Sequence, residues 1–398
     1  MEKMSIFGKR LFSTSTQKFM KGAVLRKVKG RMEIEDIRLP KPGFGEALIK
    51  NAGVGICHTD LHAMDGHIGF PIPAVFGHEV SGEVVEINAA ANATRNLKVG
   101  DRVVATFIMP CGTCSYCEHG HEDICETFFS HNRLKGTLYD GETRLFSANE
   151  NKNPGEPIAM YSMAGFAEYS VVPLNGLYKL PDVLPSLESC IIGCGIFTAY
   201  GAVKNAGLSL GGSPGADVVV LGCGGVGSNV IQVCRAFGAK RIIAVDIEDD
   251  KLEFAKSMGA THVINSKSSS ISVPERVQEI VGKAKGGVDV AFEVLGYPAT
   301  FNDAVLSTCD GGRAVMVGIA PLGTKAEVDI TRLVRRKINI VGSYGAKARI
   351  DTPEILQLIE RGIINLESIT KIYSLDEVAD AYDDLRAKRI TGKAIVKM

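Results

Sequence analysis

The feature that most constrains the fold is the alternation of apolar strands and amphipathic helices over residues 195–341. Apolar runs predict six strands, at 218–221, 242–245, 263–264, 288–292, 314–317 and 338–341. Strands that alternate with helices in this way form a parallel sheet with helices on both faces. Between the first two runs, Val226, Val230, Val233 and Phe237 make one apolar helical stripe. Six strands are the full complement of a dinucleotide-binding sheet.

A glycine cluster lies where the first of these strands meets its helix. In the run at 222–227, Gly222 permits a tight turn, Gly224 lets the backbone approach a pyrophosphate, and Gly227 lets the helix pack on the strand. The helix N-terminus then faces the phosphates. Asp246 ends the next strand, where a carboxylate binds both ribose hydroxyls and repels a 2′-phosphate. The cluster therefore predicts a dinucleotide site that prefers NAD to NADP.

The preceding part of the chain predicts short strands separated by Pro and Gly turns, at 22–28, 46–53, 79–88, 101–106 and 166–172. This pattern is typical of a β-rich barrel. Because 398 residues exceed what one core usually serves, we expect two domains. After the six-strand block, helices at 352–361 and 374–387 and a strand at 393–397 no longer alternate regularly, so we expect them to return to the first domain.

The charge balance bears on the partners of the chain. Lys plus Arg and Asp plus Glu each number 45, so no overall field favours nucleic acid or an anionic membrane. The apolar runs are far shorter than the roughly 18 to 20 residues that a membrane-spanning helix needs. The sequence therefore predicts a protein that binds neither, and whose partner is a small molecule.

Four of the ten cysteines lie close together in a Gly-rich stretch, as Cys111, Cys114, Cys117 and Cys125. Four thiolates at this spacing can surround one zinc ion and leave no position for water. They therefore predict a structural zinc in a loop, whereas the alternative is free thiols in a reducing compartment. A zinc site with an open position must lie elsewhere.

Three separate residues are candidates for that open site: Cys57 in the run at 57–62, His78, and Cys194. Two sulfurs and one imidazole suit a catalytic zinc ion. Taken singly, each has an ordinary alternative, because a buried cysteine packs as a small apolar residue and a core histidine can be fully hydrogen-bonded.

The order of these motifs, with Cys57, His78 and the four-cysteine lobe before Cys194 and the glycine cluster, resembles the zinc-dependent medium-chain alcohol dehydrogenases from about Met20 to the C-terminus. The resemblance implies an α/β fold with a GroES-like barrel and a six-stranded Rossmann domain. It divides the chain into a GroES-like catalytic domain at 20–194 with the structural zinc lobe, a Rossmann domain at 195–340, and a C-terminal return to the catalytic domain at 341–398.

The same resemblance implies roles for individual residues. Cys57, His78 and Cys194 would hold a catalytic zinc, with Glu79 behind the metal and Asp60 orienting His78. A proton relay would pass through Thr59 and His62. The cofactor contacts it implies are His58, Thr198, Gly222, Gly224, Gly225, Val226, Gly227, Asp246, Val317 and Lys393.

We therefore expect two zinc ions per chain, NAD as cofactor, and oxidation of a primary or secondary alcohol or the reverse reduction. Phe107 and Ile68 would form the walls of an apolar pocket, although ordinary core packing is the alternative. The glutathione-dependent formaldehyde dehydrogenases place arginine where this chain has Phe129, which disfavours a thiol-adduct substrate. Two rival interpretations are a metal-free quinone or enoyl reductase and a non-catalytic NAD-binding protein.

The N-terminal segment at 1–19 carries several Lys and Arg residues against one acid, Glu2, among serines and threonines. Met4, Phe7 and Leu11 give it one apolar helical face. This composition is typical of a mitochondrial transit peptide, and the alternative is a tail without a destination. We expect import into the mitochondrial matrix, otherwise a cytoplasmic location, and assembly as a homodimer or homotetramer.

Overall fold

The computed structural model describes residues 18–90, 93, 95–148, 155–210 and 215–398. Its strands are β1 Phe19–Leu25, β2 Glu33–Arg38, β3 Glu46–Gly55, β4 Ala74–Val75, β5 Val80–Asn88, β6 Arg102–Ala105, β7 Leu145–Phe146, β8 Pro157–Met160, β9 Tyr169–Pro173, β10 Leu177–Lys179, β11 Asp217–Leu221, β12 Arg241–Asp246, β13 His262–Asn265, β14 Val288–Glu293, β15 Thr308–Met316, β16 Asn339–Gly342, β17 Ile369–Ser374 and β18 Lys393–Lys397. Its α-helices are α1 His58–Met64, α2 Ser115–Glu118, α3 Gly195–Asn205, α4 Gly225–Ala236, α5 Asp249–Ser257, α6 Val273–Val281, α7 Pro298–Ser307, α8 Ile330–Arg335, α9 Ala348–Glu360 and α10 Val378–Arg386.

The six strands predicted from the alternating segment form one parallel sheet, in the order β13-β12-β11-β14-β15-β16. The central strand β11 is buried at every position, as expected of a strand covered by helices on both faces. Strand ends differ from the prediction: β15 begins at Thr308 instead of 314 and ends one residue before Val317. The strand order reverses between β11 and β14, and this switch point is where such sheets bind ligands.

The N-terminal half forms two further sheets. One has the order β2-β1-β4-β8-β7, and the other has the order β10-β6-β5-β3-β18-β17, with β9 also paired to β3. The C-terminal strand β18 pairs antiparallel with β3, so the end of the chain lies in a sheet of the N-terminal half.

Several predicted boundaries are wrong by a few residues. The first strand ends at Leu25 because the chain turns at 27–30, where the Gly30 N–H donates to the Lys27 carbonyl. Of the predicted helix at 374–387, the first residues form a 3₁₀ turn and α10 begins at Val378. Most of the predicted transit peptide, 1–17, lies outside the described residues. Within the described part of the chain, none of the helices combines the length and apolar character needed to span a membrane.

Candidate active site

Three chain segments bring the predicted ligands together. Cys57 follows β3 and precedes the first residue of α1, Cys194 directly precedes α3, and His78 lies just before β5. Gly55 makes this approach possible, because a Cβ at that position would clash with the carboxylate of Glu79. The site is therefore built where strand ends of the barrel meet the first helix of the cofactor half.

One ligand atom from each of Cys57, His78, Glu79 and Cys194 lies within 4.8 Å of the others. His78 and Cys194 are 1% and 5% exposed, so water has little access to them. A hydrogen bond with Cys194 lowers the pKa of Cys57 well below its ordinary value, against the opposing effect of burial. Two thiols and an imidazole are the donor set of catalytic zinc, which they fit without a fourth protein ligand.

Asp60 fixes the orientation of His78. Its Oδ1 accepts a hydrogen bond from His78 Nδ1 at 2.8 Å, and its Oδ2 accepts one from the Tyr382 hydroxyl at 2.9 Å. The Gly77 N–H also donates to Oδ1 at 3.3 Å. Since Asp60 occupies Nδ1, Nε2 is the histidine nitrogen left for a metal. The structure therefore places Asp60 where it was predicted, and adds Tyr382, which the sequence did not suggest.

Glu79 lies beneath the cluster and pairs with Lys393. The ammonium of Lys393 is bonded to Glu79 Oε1 and donates to the Ile56 carbonyl at 3.1 Å, with both side chains buried. Glu79 Oε2 has no hydrogen-bond partner among the described residues. Burial raises the pKa of Glu79 to about 7, although Lys393 opposes the rise.

The Lys393 side chain passes beside the glycine cluster, since a Cβ at Gly225 would clash with Lys393 Cδ. Its ammonium group points to Glu79 and not to the helix N-terminus. The predicted contact of Lys393 with a pyrophosphate thus stays a prediction, and it would require the buried ion pair to open.

The predicted relay residues lie on α1, one helical turn apart. Thr59 Oγ1 is 3.6 Å from Cys57 Sγ, so its hydroxyl lies beside the candidate metal ligands. His62 is half-buried, and its Nδ1 lies 3.2 Å from Nδ1 of His67. Burial lowers the pKa of His62, and the neighbouring His67 lowers it further. His67, which sequence reasoning missed, extends the polar path toward the surface.

The four-cysteine lobe also brings its sulfurs together. The Sγ atoms of Cys111, Cys114, Cys117 and Cys125 all lie within 4.8 Å of one another. Cys111 Sγ accepts hydrogen bonds from the N–H groups of Thr113 and Cys114, and Cys125 Sγ accepts from those of Cys111 and Phe128. Backbone donors aimed at sulfur stabilise thiolates. This donor set fits a structural zinc.

A salt bridge that the sequence did not suggest anchors the lobe to α9. Buried Glu122 accepts 2.8 Å hydrogen bonds from the backbone and the side chain of Arg349, whose guanidinium also donates to the Cys117 carbonyl at 2.9 Å. The partners are 227 residues apart in the chain. The lobe is therefore held against the C-terminal part of the protein.

The glycine cluster has the geometry predicted for a phosphate site. Gly222 has φ +100°, which favours glycine, and a Cβ at Gly227 would clash with the Gly222 carbonyl. Gly224 precedes α4 and has open space where its Cβ would be. There is therefore room for an anion beside Gly224, at the N-terminus of α4.

Asp246 ends β12 with its carboxylate turned toward this cluster. Oδ2 accepts a 2.8 Å hydrogen bond from the Cys223 N–H, and Oδ1 accepts from the N–H groups of Ile247 and Glu248. Of the other predicted cofactor contacts, Thr198, Val226 and Val317 are partly buried, and His58 is exposed. The Thr198 hydroxyl lies 3.8 Å from Cys194 Sγ, so this predicted cofactor contact is next to a predicted metal ligand.

Aromatic rings line the metal cluster on one side. The rings of Phe107 and Tyr161 lie 5.8 and 5.9 Å from that of His78. Tyr344 contacts Phe107 at 5.3 Å and Phe129 at 5.6 Å. Phe107 is buried among these rings, so its role as a pocket wall stays a prediction, and Tyr161 and Tyr344 carried no signal in the sequence. Ile68 is partly buried and packs against the core.

Two family models match the chain. Residues 43–182 match the alcohol dehydrogenase GroES-like domain, and residues 225–361 match the zinc-binding dehydrogenase domain. Together they cover more than half of the chain. The fold is therefore the predicted one, a GroES-like domain joined to a Rossmann-type parallel sheet.

Similar proteins agree with these matches. The chain is 33% identical over 380 residues to "Putative alcohol dehydrogenase D" of Mycobacterium tuberculosis, a match that covers 93% of this chain and 98% of that protein. An "Alcohol dehydrogenase zinc-binding domain protein" from Burkholderia ambifaria has a TM-score of 0.85 at 34% identity, over 96% of this chain and 99% of its own. Benzyl alcohol dehydrogenase from Acinetobacter calcoaceticus has a TM-score of 0.85 at 32% identity, with the same coverage.

Proposed function

The chain belongs to the zinc-dependent medium-chain alcohol dehydrogenase family, and from that premise we propose that it oxidises a primary or secondary alcohol, or reduces the corresponding carbonyl, with NAD. The observation that carries the proposal is the buried set of Cys57, His78 and Cys194 beside an aromatic wall. We propose two zinc ions per chain, one in this set and one in the four-cysteine lobe.

When bound, zinc supplies Lewis acidity that lowers the pKa of an alcohol hydroxyl, and NAD supplies the hydride acceptor. Cys57, His78 and Cys194 would hold the metal, and Asp60 keeps His78 in the orientation that directs Nε2 to it. Phe107 excludes water from the same space. The chain's own contribution is therefore to position and desolvate the reacting alcohol.

Residues of α1 would remove the proton of the alcohol hydroxyl. Thr59, beside Cys57, can accept the proton from the alcohol, and His62 lies one turn further along the helix. The lowered pKa of His62 keeps its imidazole neutral near pH 7, so that it is able to accept a proton. His67 lies next on the path and is exposed.

The preference for NAD rests on Asp246. Its carboxylate lies at the end of β12, and the residues that follow, 247–250, include no Lys or Arg that could bind a 2′-phosphate. A variant that lacks this carboxylate should therefore use NADP more readily.

The experiment that tests the function is NADH formation by zinc-loaded protein lacking residues 1–17, which leaves β1 whole, with aliphatic, allylic and benzylic alcohols, before and after chelation. Turnover that chelation abolishes and zinc restores supports the proposal, and the ranking of rates identifies the substrate class. Turnover that persists without zinc contradicts it. If no alcohol gives NADH, two alternative functions are left: oxidation of an S-hydroxymethyl thiol adduct of formaldehyde, and a non-catalytic role in NAD binding.

We also propose a homodimer or homotetramer. Helix α8 has no buried residue, with Ile330 and Val334 exposed by 74% and 67%, and it precedes β16, an edge strand of the six-stranded sheet. An apolar surface beside an open sheet edge favours pairing with a second copy. Light scattering of the wild type and of Val334→Glu tests this: a V334E protein with the mass of the wild-type oligomer contradicts the choice of surface.

We propose the mitochondrial matrix as location, on the composition of the segment at 1–19. Import of the full chain into isolated mitochondria, with N-terminal sequencing of the product, tests it. A chain that stays outside at full length contradicts the proposal and favours the cytoplasm.

A further inference from the structure

Arg133 is a cation in the aromatic wall that the proposed mechanism does not use. Its guanidinium carbon lies 4.1 Å from the ring centre of Tyr161, 5.0 Å from that of Phe128 and 5.6 Å from that of Phe107. Phe107 and Tyr161 also contact the ring of His78. Phe107 and Tyr161 therefore lie beside both the Arg133 cation and the proposed metal ligand His78.

Most of the hydrogen-bonding capacity of Arg133 is unused within the described part of the chain. Its Nε and both terminal nitrogens are buried, and none has a hydrogen-bond partner among the described residues. Aromatic faces attract a guanidinium, but its N–H groups lie in its plane and require acceptors, so burying them unpaired is costly. Arg144 shows the usual arrangement, because it is similarly enclosed but is paired with Glu46 and Asp140.

Neighbouring groups do not supply the missing acceptor. Asp60 is the nearby carboxylate whose charge acts on Arg133, but its two oxygens already accept from His78 and Tyr382. The Tyr344 phenol, whose pKa burial raises, is close enough to interact with the Arg133 guanidinium, but one neutral phenol oxygen cannot satisfy its five N–H donors. Arg133 is also the last residue of a π-helical turn, a distortion often found at functional sites.

We propose that Arg133 binds a carboxylate on the substrate, so that the preferred substrate is an alcohol or aldehyde with a carboxylate a few carbon atoms from the reacting carbon. The planar guanidinium matches a carboxylate with two parallel hydrogen bonds. One arginine neutralises one charge, which favours a carboxylate over a phosphate dianion. The aromatic rings of Phe107 and Tyr161, which lie beside both the cation and His78, favour an apolar or aromatic spacer. This inference rests on the proposed function and narrows its substrate class.

The test compares matched substrates that differ only in the carboxylate: 4-(hydroxymethyl)benzoate with benzyl alcohol, and 4-hydroxybutanoate with 1-butanol. We expect the wild type to prefer each carboxylated member by kcat/KM. R133M should lose about 10- to 100-fold in kcat/KM for the carboxylated members, chiefly through KM, and little for the neutral ones. R133K, which keeps the charge without the planar fork, should recover part of the loss.

R95M is the matched control. Arg95 also lies over a ring, that of Tyr178 at 5.1 Å, but its guanidinium donates to the carbonyls of Leu174 and Asn175. It should leave the preference for carboxylated substrates unchanged. Two results would overturn the inference. One is a wild-type protein with equal kcat/KM for the carboxylated and the neutral member of each pair. The other is an equal loss of kcat/KM on both members in R133M and R133K.

A binding measurement separates this inference from the proposed function. Benzoate binding to zinc-loaded protein, followed by calorimetry, should weaken about 10- to 100-fold in R133M and remain unchanged in R95M. If benzoate binds R133M as tightly as it binds the wild type, it is held by another group, for example the metal, and the inference is overturned. Binding that depends on Arg133 in a protein that oxidises no alcohol supports the carboxylate site and contradicts the dehydrogenase function.

Discussion

Replacement of Asp60 by asparagine should weaken zinc binding at the catalytic set alone. Asp60 is fully buried and accepts hydrogen bonds from His78 Nδ1, the Tyr382 hydroxyl and the Gly77 N–H. The amide in D60N lacks the charge and one acceptor oxygen, so at least one of these donors meets an N–H₂ group instead. Loss of a group that orients a metal-binding histidine typically costs about 10- to 100-fold in metal affinity, or about 1.4 to 2.7 kcal/mol.

Zinc content during competition with a coloured chelator measures this effect. D60N should release one of two zinc ions at lower chelator concentration, and kcat should fall in parallel. Tyr382→Phe keeps the carboxylate and removes one donor, so its effect should be smaller. Arg349→Met is the converse control, since it loosens the four-cysteine lobe and leaves Asp60 in place. A D60N protein that holds both ions as tightly as the wild type would refute the role given to Asp60.

Three further predictions concern single groups of the site. Cys194→Ala should abolish turnover and leave NAD affinity unchanged, as measured by rates and by NADH fluorescence; a variant active at the wild-type rate would remove Cys194 from the ligand set. Asp246→Gly should lower the ratio of kcat/KM for NAD to that for NADP by about 10- to 100-fold, and an unchanged ratio would contradict the ribose contact. His67→Gln should raise the pKa of His62, because the charge of His67 lowers it, and so move the acidic limb of the pH profile of kcat/KM to higher pH; a profile that stays in place would exclude His62 as the titrating base.

The parallel sheet could be predicted from the sequence because strands covered on both faces consist almost entirely of apolar residues, as in β11. The glycine turn at 222–227 could be predicted because Gly222 has a positive φ and a Cβ at Gly227 would clash with the Gly222 carbonyl. Strand ends were less predictable. Residues 308–313 of β15 include two glycines and two charged residues, and only the hydrogen bonds of the sheet define them as strand.

The two groups of candidate metal ligands differ in how far the sequence could predict them. The lobe cysteines lie within fifteen residues, so local spacing alone indicates one ion. Cys57, His78 and Cys194 come from distant segments, and only resemblance to a family joined them before the structure did. Contacts such as Tyr382 with Asp60, 322 residues apart, depend on the return of the C-terminal segment to the barrel, which carries no local signal.

The pairing of Glu79 with Lys393 follows from the charges that a buried metal site must balance. With a zinc ion bound, the thiolates of Cys57 and Cys194 and the buried carboxylates of Glu79 and Asp60 would carry four negative charges. The zinc ion, the Lys393 ammonium and the Arg133 guanidinium would carry four positive ones. An unbalanced charge in such a buried place is costly, so the carboxylate of Glu79 holds the lysine beneath the proposed metal site. A lysine drawn toward a cofactor phosphate would leave Glu79 uncompensated. Arg133 differs from Lys393 because its buried N–H groups have no hydrogen-bond partner among the described residues, so what it requires is an acceptor and not a further balancing charge.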